Sequence, residues 1–473
     1  MAHYPLITWT FVVFHVVGIL CAALAILRSR TPQGATAWVM ALLSFPILSV
    51  PMYVVFGRSR FEGYNTKRRI YDAKVHHEFE LLSPIDQAVL SISEEIKMVN
   101  ATIPFHNQPG FTRKNSIKLL VDGQETYTSM LEELEKAQNY IVFQFYLFRY
   151  DHIGEKFAEV LMRKARQGVR VSFLYDEIGA KISKRYIKRM KSSGVKMGAF
   201  NRGHGRWKFQ INFRNHRKIV VVDGKVGFVG GLNIGDEYLG LWKKVGPWRD
   251  THVRITGPSV IAAQLATAKD WFCAREKILD VDWKIYPDEK ADSNLLVLHT
   301  GPADTQHTCL LTYVTLINVA TEKLWMANPY LVPPESIMDA IILAALRGVE
   351  VRILLPSYSD NRVVLMASKV YEQRLLEHGV KIFKYTKGFL HQKVMIIDSR
   401  FCCLGSANLD HRSMFVNFEI LTISSDKTFI KDVTEMLIND FMLSEQVSLE
   451  DFQEQGLFKT IVSRGANLMA PIL

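Results

Sequence analysis

The eighteen residues HRKIVVVDGKVGFVGGLN over 216–233 are written again as HQKVMIIDSRFCCLGSAN over 391–408, 175 residues further on. No other feature restricts the fold as strongly. Gly168-Val169-Arg170 returns as Gly348-Val349-Glu350 and Gly194-Val195-Lys196 as Gly379-Val380-Lys381, with offsets of 180 and 185. Around these markers, strand-like apolar runs (Tyr140 to Phe148, Leu324 to Val332) alternate with helical patterns (Glu155 to Arg166, Ile337 to Leu346). A repeat of about 180 residues with that alternation reads as a duplicated α/β domain. Two copies of one fold pack about a pseudo-twofold, which brings equivalent sites together. The polar stretch from Pro287 to Asn294 divides the copies, giving domains over 112–290 and 291–473. With 473 residues, 48% of them hydrophobic, both halves have ample apolar material for a core.

The repeated stretch predicts a β-hairpin. His216 and Lys218, two apart, share one face of a strand, as do His391 and Lys393. Asp223-Gly224 is a two-residue turn signal; a turn centred there, and on Asp398-Ser399 in the second copy, sets Gly231 opposite His216 and Ser406 opposite His391. Asn233 and Asn408 then fall just past the strand ends. These residue types suit an anionic phosphorus centre. Lysine supplies a charge-assisted donor to phosphate oxygens, asparagine two more, and Gly231 or Ser406 allows close approach to the backbone. An imidazole attacks phosphorus or carries a proton. The candidate catalytic set is therefore His216, Lys218, Asp223, His391, Lys393 and Asp398, with Asn233, Asn408, Gly231 and Ser406 as phosphate contacts. Within it, Asp223 and Asp398 occupy turn positions, where support of the hairpin is the stronger expectation. A nucleophilic histidine also needs its second nitrogen held by an acceptor; Asp250 and Glu419, each following its motif, are the candidates. Nothing here requires a metal: His76-His77 has no third nearby ligand and reads as linker.

The N-terminal region is different in kind. Leu6 to Leu27 and Ala35 to Phe56 are apolar runs of membrane-spanning length, about 20 residues. No Lys or Arg precedes the first, which disfavours a signal peptide. The connector carries Arg28 and Arg30, while Arg58, Arg60, Lys67, Arg68, Arg69 and Lys74 follow the second run. That asymmetry predicts a transmembrane hairpin over 1–57 with both ends cytoplasmic, Pro46 and Pro51 kinking its second helix, and a basic juxtamembrane linker over 58–111. A formal charge of +11, from 58 Lys and Arg against 47 Asp and Glu, favours anionic partners, and the linker cluster suits anionic headgroups. Arg202, Arg206, Lys208 and Arg214, interleaved with Trp207 and Phe209, form a basic aromatic approach to His216 suited to lipid phosphate or nucleic acid. The five cysteines form no CxxC pair and no disulfide spacing, so the catalytic bulk is expected on a reducing side, with Cys402 and Cys403 as small strand residues.

The paired H-x-K-x4-D-x6-G-(G/S)-x-N motifs resemble those of the phospholipase D superfamily. The whole chain, with its two N-terminal runs, Ala37-Trp38, Phe56-Gly57, Trp248-Arg249-Asp250 and the ending Pro471-Ile472-Leu473, is similar to the bacterial cardiolipin synthase family. The resemblance implies tandem α/β/α sandwiches around a pseudo-twofold cleft in the inner membrane of a bacterium, multi-pass, with catalytic domains on the cytoplasmic side. It implies a cofactor-free ping-pong transfer in which His216 attacks one phosphatidylglycerol, His391 protonates the departing glycerol, and a second phosphatidylglycerol takes the phosphatidyl group to give cardiolipin. Lys218, Lys393, Asn233 and Asn408 hold the phosphoryl oxygens, and Asp250 and Glu419 orient the histidines. Nucleic acid is not expected as a partner. The alternatives are a hydrolytic phospholipase D yielding phosphatidic acid, or a membrane-anchored phosphodiesterase or nuclease of the same superfamily.

Overall fold

A computed structural model describes residues 4–29, 32–57, 62–74, 99, 109–200, 212–242, 246–304, 306–359, 361–453 and 457–470. His76, His77, Arg202, Arg206, Trp207, Lys208, Phe209 and most of the 58–111 linker lie outside the described residues.

The first half supplies strands β1 (Thr112–Val121), β2 (Tyr140–Phe145), β3 (Arg170–Asp176), β4 (Lys196–Phe200), β5 (Ile219–Val222), β6 (Val226–Gly230), β7 (Trp248–Arg249) and β8 (Thr251–Thr256). The second supplies β9 (Ser293–Thr300), β10 (Lys323–Ala327), β11 (Leu331–Val332), β12 (Glu350–Pro356), β13 (Lys381–Tyr385), β14 (Phe389–Leu390), β15 (Val394–Ile397), β16 (Phe401–Gly405), β17 (Leu409–Asp410), β18 (Glu419–Ser424) and β19 (Ser444–Val447). One 15-stranded sheet runs β4-β3-β2-β5-β6-β8-β1 and continues β9-β18-β16-β15-β10-β12-β13-β19. Read outward from the centre, the two series match strand for strand, with β19 added at one edge. The equivalent strands β1 and β9 pair antiparallel, Thr112 with Leu295 and Asn115 with Ser293, as a local twofold through the sheet requires. The duplication thus gives one continuous sheet.

The inner strands β2 and β15 are buried along their whole length, as their nearly unbroken apolar sequences demand. On one face, helices Val260–Arg275 and Lys427–Met442 share a core drawn from both halves, including Leu265, Ala266, Phe429 and Val433. On the other, each half has its own core, around Phe143, Phe157 and Phe173 and around Ile341, Ile353 and Leu375. The repeated Gly-Val pairs end helices: Gly168 and Gly348 adopt φ of +93° and +88°, left-handed values that stop the helix and turn the chain into β3 and β12.

Two local expectations fail in the same way in both copies. The hairpin loop has three residues: the Lys225 amide donates to the Val222 carbonyl at 3.0 Å, and the ladder resumes with Val222 opposite Val226. In the second copy Ile397 lies opposite Phe401. The register moves by one, so Gly231 and Ser406 do not fall opposite the histidines. Nor do the His-x-Lys residues lie on the ladder, which ends at Ile219 opposite Val229 and at Val394 opposite Leu404. Apart from Lys393, whose carbonyl still accepts the Gly405 amide at 3.3 Å, the backbone at the histidines has turned to the other half.

Helix α1 (Tyr4–Arg28) includes an apolar stretch long enough to cross a bilayer, Thr8–Arg28. The second run is not a second crossing of that kind. It forms α2 (Pro32–Ser44) and α3 (Pro46–Phe56), broken at Phe45, whose φ of −134° and ψ of 59° precede Pro46. Proline has no N–H for the Leu42 carbonyl and biases the residue before it away from the helical region. The chain then doubles back. Trp38 and Tyr53 are 15 positions apart, about 22 Å along a straight helix, yet their ring centroids are 5.1 Å apart. Val50 and Tyr53 of α3 pack with Leu42 and with Cys21, Ala22 and Ala25 of α1. Gly18 faces the turn: a Cβ there would stand 2.7 Å from the Leu42 carbonyl oxygen and 3.1 Å from Pro46 Cβ. The tip of the α2–α3 hairpin therefore reaches about 15 Å along α1 from Arg28. Helix α4 (Glu62–Lys74) lies on the catalytic halves, with Tyr64 hydrogen-bonded to Asp270 at 2.9 Å and Arg68 to Asp304 at 3.2 Å.

Candidate active site

The segments carrying the two histidines cross over. The His216 amide donates to the Phe418 carbonyl at 2.9 Å, and the Phe418 amide to the Arg214 carbonyl at 2.8 Å. Symmetrically, the His391 amide donates to the Arg249 carbonyl and the Phe389 amide to the Pro247 carbonyl, both at 2.8 Å. Phe418 and Arg249 immediately precede Glu419 and Asp250, so each histidine is locked beside the carboxylate of the opposite half. His216 Nδ1 lies 3.0 and 3.2 Å from the Glu419 oxygens, and His391 Nδ1 lies 2.6 Å from Asp250 Oδ2. With Nδ1 directed at a carboxylate, His216 keeps Nε2 for the cleft, while His391 Nε2 has Lys393 Nζ at 3.2 Å. Tyr146 packs on His216 and Trp248 on His391, with centroids 5.0 and 5.1 Å apart.

The lysines sit under their histidines. Lys218 Nζ donates to the His216 carbonyl. Lys393 Nζ donates to the His391 carbonyl and lies 3.0 and 3.2 Å from the two ring nitrogens. Burial pushes Lys218 down to about 7 against the pull of Glu419, with Lys393 adding to the depression. Burial likewise lowers His216; Glu419 opposes this, and Lys218 and Lys393 reinforce it. His216 Nδ1 also lies 3.1 Å from the Ser406 carbonyl, which brings the two motifs together.

The two carboxylates diverge. Burial raises both, but Glu419 ends below the usual carboxylate range because His216, Lys218 and the Ser406 hydroxyl outweigh it. Glu419 accepts from Ser406 Oγ, from Ser413 Oγ at 2.9 Å and from Asn417 Nδ2 at 3.3 Å, besides His216. Asp250 accepts the Thr251 amide at 2.8 Å and faces His391, and burial pushes it up to about 6 despite Lys393.

Several candidates stand elsewhere than expected. Asp223 and Asp398, counted with the catalytic set, lie at the far end of the hairpin from the histidines in left-handed conformations, φ 52° and 53°. Asp223 accepts the amides of Gln138, Asn139 and Tyr140 at 2.7–2.8 Å, and Asp398 those of Glu322 and Lys323 at 2.8 Å. Each ties its hairpin turn to the start of the neighbouring central strand. Ser406 and Gly231, expected at phosphate, face the carboxylates. Ser406 Oγ is spent on Glu419 and accepts the Ile420 amide at 3.0 Å. At Gly231 a Cβ would be 2.2 Å from Asp250 Oδ1. The Asn233 side chain is also engaged: Oδ1 takes the Leu147 amide at 3.1 Å and Nδ2 donates to Tyr238 at 2.7 Å. Asn408, at the end of the second motif, is 6% exposed, and its backbone amide donates to Ser413 Oγ at 3.1 Å.

A second tier was missed. The middle residue of each His-x-Lys is buried and anchored to an aspartate on the shared-core helices. Arg217 Nη1 is 2.7 Å from Asp270, its other donors going to the Glu419 and Thr300 carbonyls. Gln392 Nε2 is 2.8 Å from Asp440, which also pairs with Arg249 at 2.9 Å. Asp270 additionally accepts from Gln144, Asn215 and Tyr64. The signal was present as a further repeat step: Asp-Trp-Phe at 270–272 and Asp-Phe-Met at 440–442, 170 apart. Among the described residues no group of His, Cys, Asp or Glu is arranged to hold a metal.

Comparison with known proteins follows the same outline. The family described as "Cardiolipin synthase, PLD-like domain" matches residues 130–244 and 313–441, and "Phospholipase_D-nuclease N-terminal" matches 7–58. The chain is 39% identical over 476 residues to the cardiolipin synthase A of Pseudomonas fluorescens strain SBW25, covering 99% of this chain and 98% of that one. It is 40% identical over 466 residues to that of Pseudomonas aeruginosa strain LESB58, covering 97% and 94%. Among solved structures, the phosphatidylserine synthase of Haemophilus influenzae Rd KW20 superimposes with a TM-score of 0.61 at 15% identity, covering 80% of this chain and 100% of that one. At that identity the likeness concerns fold alone.

Proposed function

The chain belongs to the cardiolipin synthase family of phospholipase D-type phosphatidyltransferases, and from that premise we propose that it joins two phosphatidylglycerols into cardiolipin and glycerol through a phosphatidyl-histidine. The observation that carries this reading is the crossed pairing of His216 with Glu419 and His391 with Asp250. It gives one cleft two imidazoles, each with Nδ1 fixed by a carboxylate of the opposite half.

The difference between the pairs divides the labour. His216, its basicity lowered by burial, is neutral near pH 7 and donates Nδ1–H to an ionised Glu419. That state presents an Nε2 lone pair to phosphorus, so His216 is the nucleophile. It displaces the glycerol oxygen, which leaves with the proton of His391; the terminal hydroxyl of the second phosphatidylglycerol gives its own proton to His391 as its oxygen bonds to phosphorus and the bond to His216 breaks. Lys218 and Lys393, beneath the rings, stabilise charge gathering on the phosphoryl oxygens.

Residues flanking the N-terminal helices hold the cleft at the bilayer. In this reading α1 crosses once, while α2 and α3, about 20 and 16 Å long, re-enter and leave on the same side. Arg28 and Ser29 line a cavity together with Pro302, Met414 and Phe415, so the α1–α2 connector lies on the catalytic side. The described basic residues flanking the helices, Arg28, Lys67, Arg68, Arg69 and Lys74, then share one side, the cytoplasmic one. This replaces the two-span hairpin, which sets the connector across the membrane.

Incubation of the full chain with vesicles of labelled phosphatidylglycerol tests the reaction: cardiolipin and glycerol in equal amounts are expected, whereas phosphatidic acid would make it a hydrolase. For topology, an impermeant maleimide reacts with Ser29→Cys from the cytoplasmic face of inverted vesicles; labelling only from the opposite face would restore the two-span hairpin.

A further inference from the structure

A cavity of about 480 Å³ lies where the membrane helices meet the second catalytic half, and nothing in the reaction above uses it. That volume is within the range of small-ligand sites, roughly 300–1,000 Å³. Its wall on the membrane side is Arg28, Ser29, Asn65 and Arg69. Its opposite wall is the β9 exit and the start of helix Thr308–Asn318, an 11-residue helix whose N-cap, His307, makes no side-chain cap. Arg28, Arg69 and the positive end of that helix all favour an anion. The acidic lining residue, Asp304, is already committed to Arg68 at 3.2 Å and to the Gly301 amide at 2.9 Å.

The floor identifies the rest of the ligand. Asn417 is 7% exposed, and its Nδ2 donates to Glu419 at 3.3 Å, which fixes the amide orientation. Its Oδ1 has no hydrogen-bond partner among the described residues. A buried acceptor left in that state is costly, and a hydroxyl donor satisfies it. An ionised phosphodiester without a hydroxyl has no such donor; one bearing a hydroxyl does.

The geometry points to this cavity as an accessory site for the hydroxyl-bearing anionic headgroup of a glycerophospholipid, entering from the bilayer beside α1. The identity of the lipid rests on the function proposed above; the site itself does not. It is separate from the line of attack. Ser413 and Asn417 contact Glu419, and Glu419 holds Nδ1 of His216, whereas phosphorus bonds at Nε2. An occupant therefore acts on His216 through the hydrogen bonds of Glu419.

The test counts lipids rather than turnover. Full-chain protein carrying His391→Ala is equilibrated with phosphatidylglycerol in mixed micelles, and retained lipid per chain is measured by native mass spectrometry. One lipid fewer is expected when Ala303→Trp fills the cavity. Arg69→Glu, at an exposed position, should raise the half-saturating concentration of that lipid about tenfold, one charge-assisted contact. Competition is expected from soluble glycerophosphoglycerol, which would show that the headgroup suffices. An unchanged count with Ala303→Trp and unchanged affinity with Arg69→Glu would overturn the site. Equal retention of zwitterionic phosphatidylcholine, or competition by inorganic phosphate but not by glycerophosphoglycerol, would overturn its chemistry. None of these outcomes depends on cardiolipin being made.

Discussion

The half-site of His216 and that of His391 are assembled from the same parts by the same crossed bridges, yet they are tuned apart. Glu419 accepts three side-chain hydrogen bonds besides that of its histidine, while Asp250 accepts one backbone amide. The residues behind them compensate in size. The longer carboxylate meets Ser406, whose hydroxyl fills the remaining space; the shorter one meets Gly231 and occupies the volume a Cβ would need. Duplication has kept the combined reach of small residue and acid, leaving the electrostatics of each half to differ. A well-solvated anion by hydrogen bonds suits a fixed nucleophile. A less stabilised one leaves its histidine freer to exchange a proton.

The strongest way to break this contrast is to remove each ring. His216→Ala should lower turnover at least about 10⁴-fold, since a covalent route is lost with its nucleophile. His391→Ala should cost about 10²–10⁴-fold on phosphatidylglycerol, the usual weight of one acid–base group. It should recover much of that loss on a p-nitrophenyl phosphodiester, whose leaving group needs no proton. Labelled protein denatured in alkaline detergent should carry its adduct on His216. An adduct on His391 in His216→Ala would reverse the assignment.

Next in size are the carboxylates. Glu419→Gln should reduce turnover about 10²–10⁴-fold by releasing the tautomer that presents Nε2, as loss of a His-orienting acid does. Asp250→Asn, replacing an anion already held up to about 6, should cost less, about tenfold to a hundredfold. Equal losses would mean that the difference in hydrogen bonding has no catalytic consequence.

How much of this was legible in the sequence depends on distance along the chain. The repeat announced two α/β halves, and the motif residues His216, Lys218, His391 and Lys393 announced a phosphate chemistry, because those signals are local. The trans pairing of Glu419 with His216 was not legible. Both acids follow their own motif in sequence, and only the twofold, which makes Phe418 and Arg249 partners of the opposite histidines, decides the match. The one-residue register shift was hidden because Lys225 and Arg400 read as strand residues and act as the third residue of the loop. Asp223 showed its turn role through position alone, and the amides of 138–140 that explain it come from 83 to 85 residues away. At the N-terminus, composition made Ala35 to Phe56 a span by length; the doubling back at Phe45 depends on Gly18 accepting the Leu42 carbonyl, which hydropathy does not contain.

The size compensation makes a sharper test than either acid alone. Gly231→Ser forces the Asp250 carboxylate aside, since its Cβ would stand 2.2 Å from Oδ1. A displacement of an ångström at a positioned group costs about 10²-fold. Ser406→Gly removes one donor from Glu419 and the acceptor of the Ile420 amide without displacing the carboxylate, so about tenfold is expected, with a melting temperature lowered by loss of a charged hydrogen bond worth ~1.5–3 kcal/mol. Adding Asp250→Ala to Gly231→Ser should cost little further activity, because the carboxylate was already displaced. Full additivity in that cycle would refute the steric account.

The smallest effect expected is on the pH profile, and its sign follows from the same asymmetry. For the free protein, kcat/KM should fall below about pH 6, where Asp250 takes a proton and stops holding His391 Nδ1–H. It should also fall above about pH 7, where Lys218, pushed down by burial, loses the charge that meets phosphate. Each limb should change the rate by no more than tenfold per pH unit, the slope of a single ionisation. Asp250→Asn should flatten the acid limb and leave the alkaline one. Lys218→Arg should do the opposite, because a guanidinium keeps its charge through this range at some loss of fit. Should Lys218→Arg leave the alkaline limb in place, that limb does not belong to Lys218.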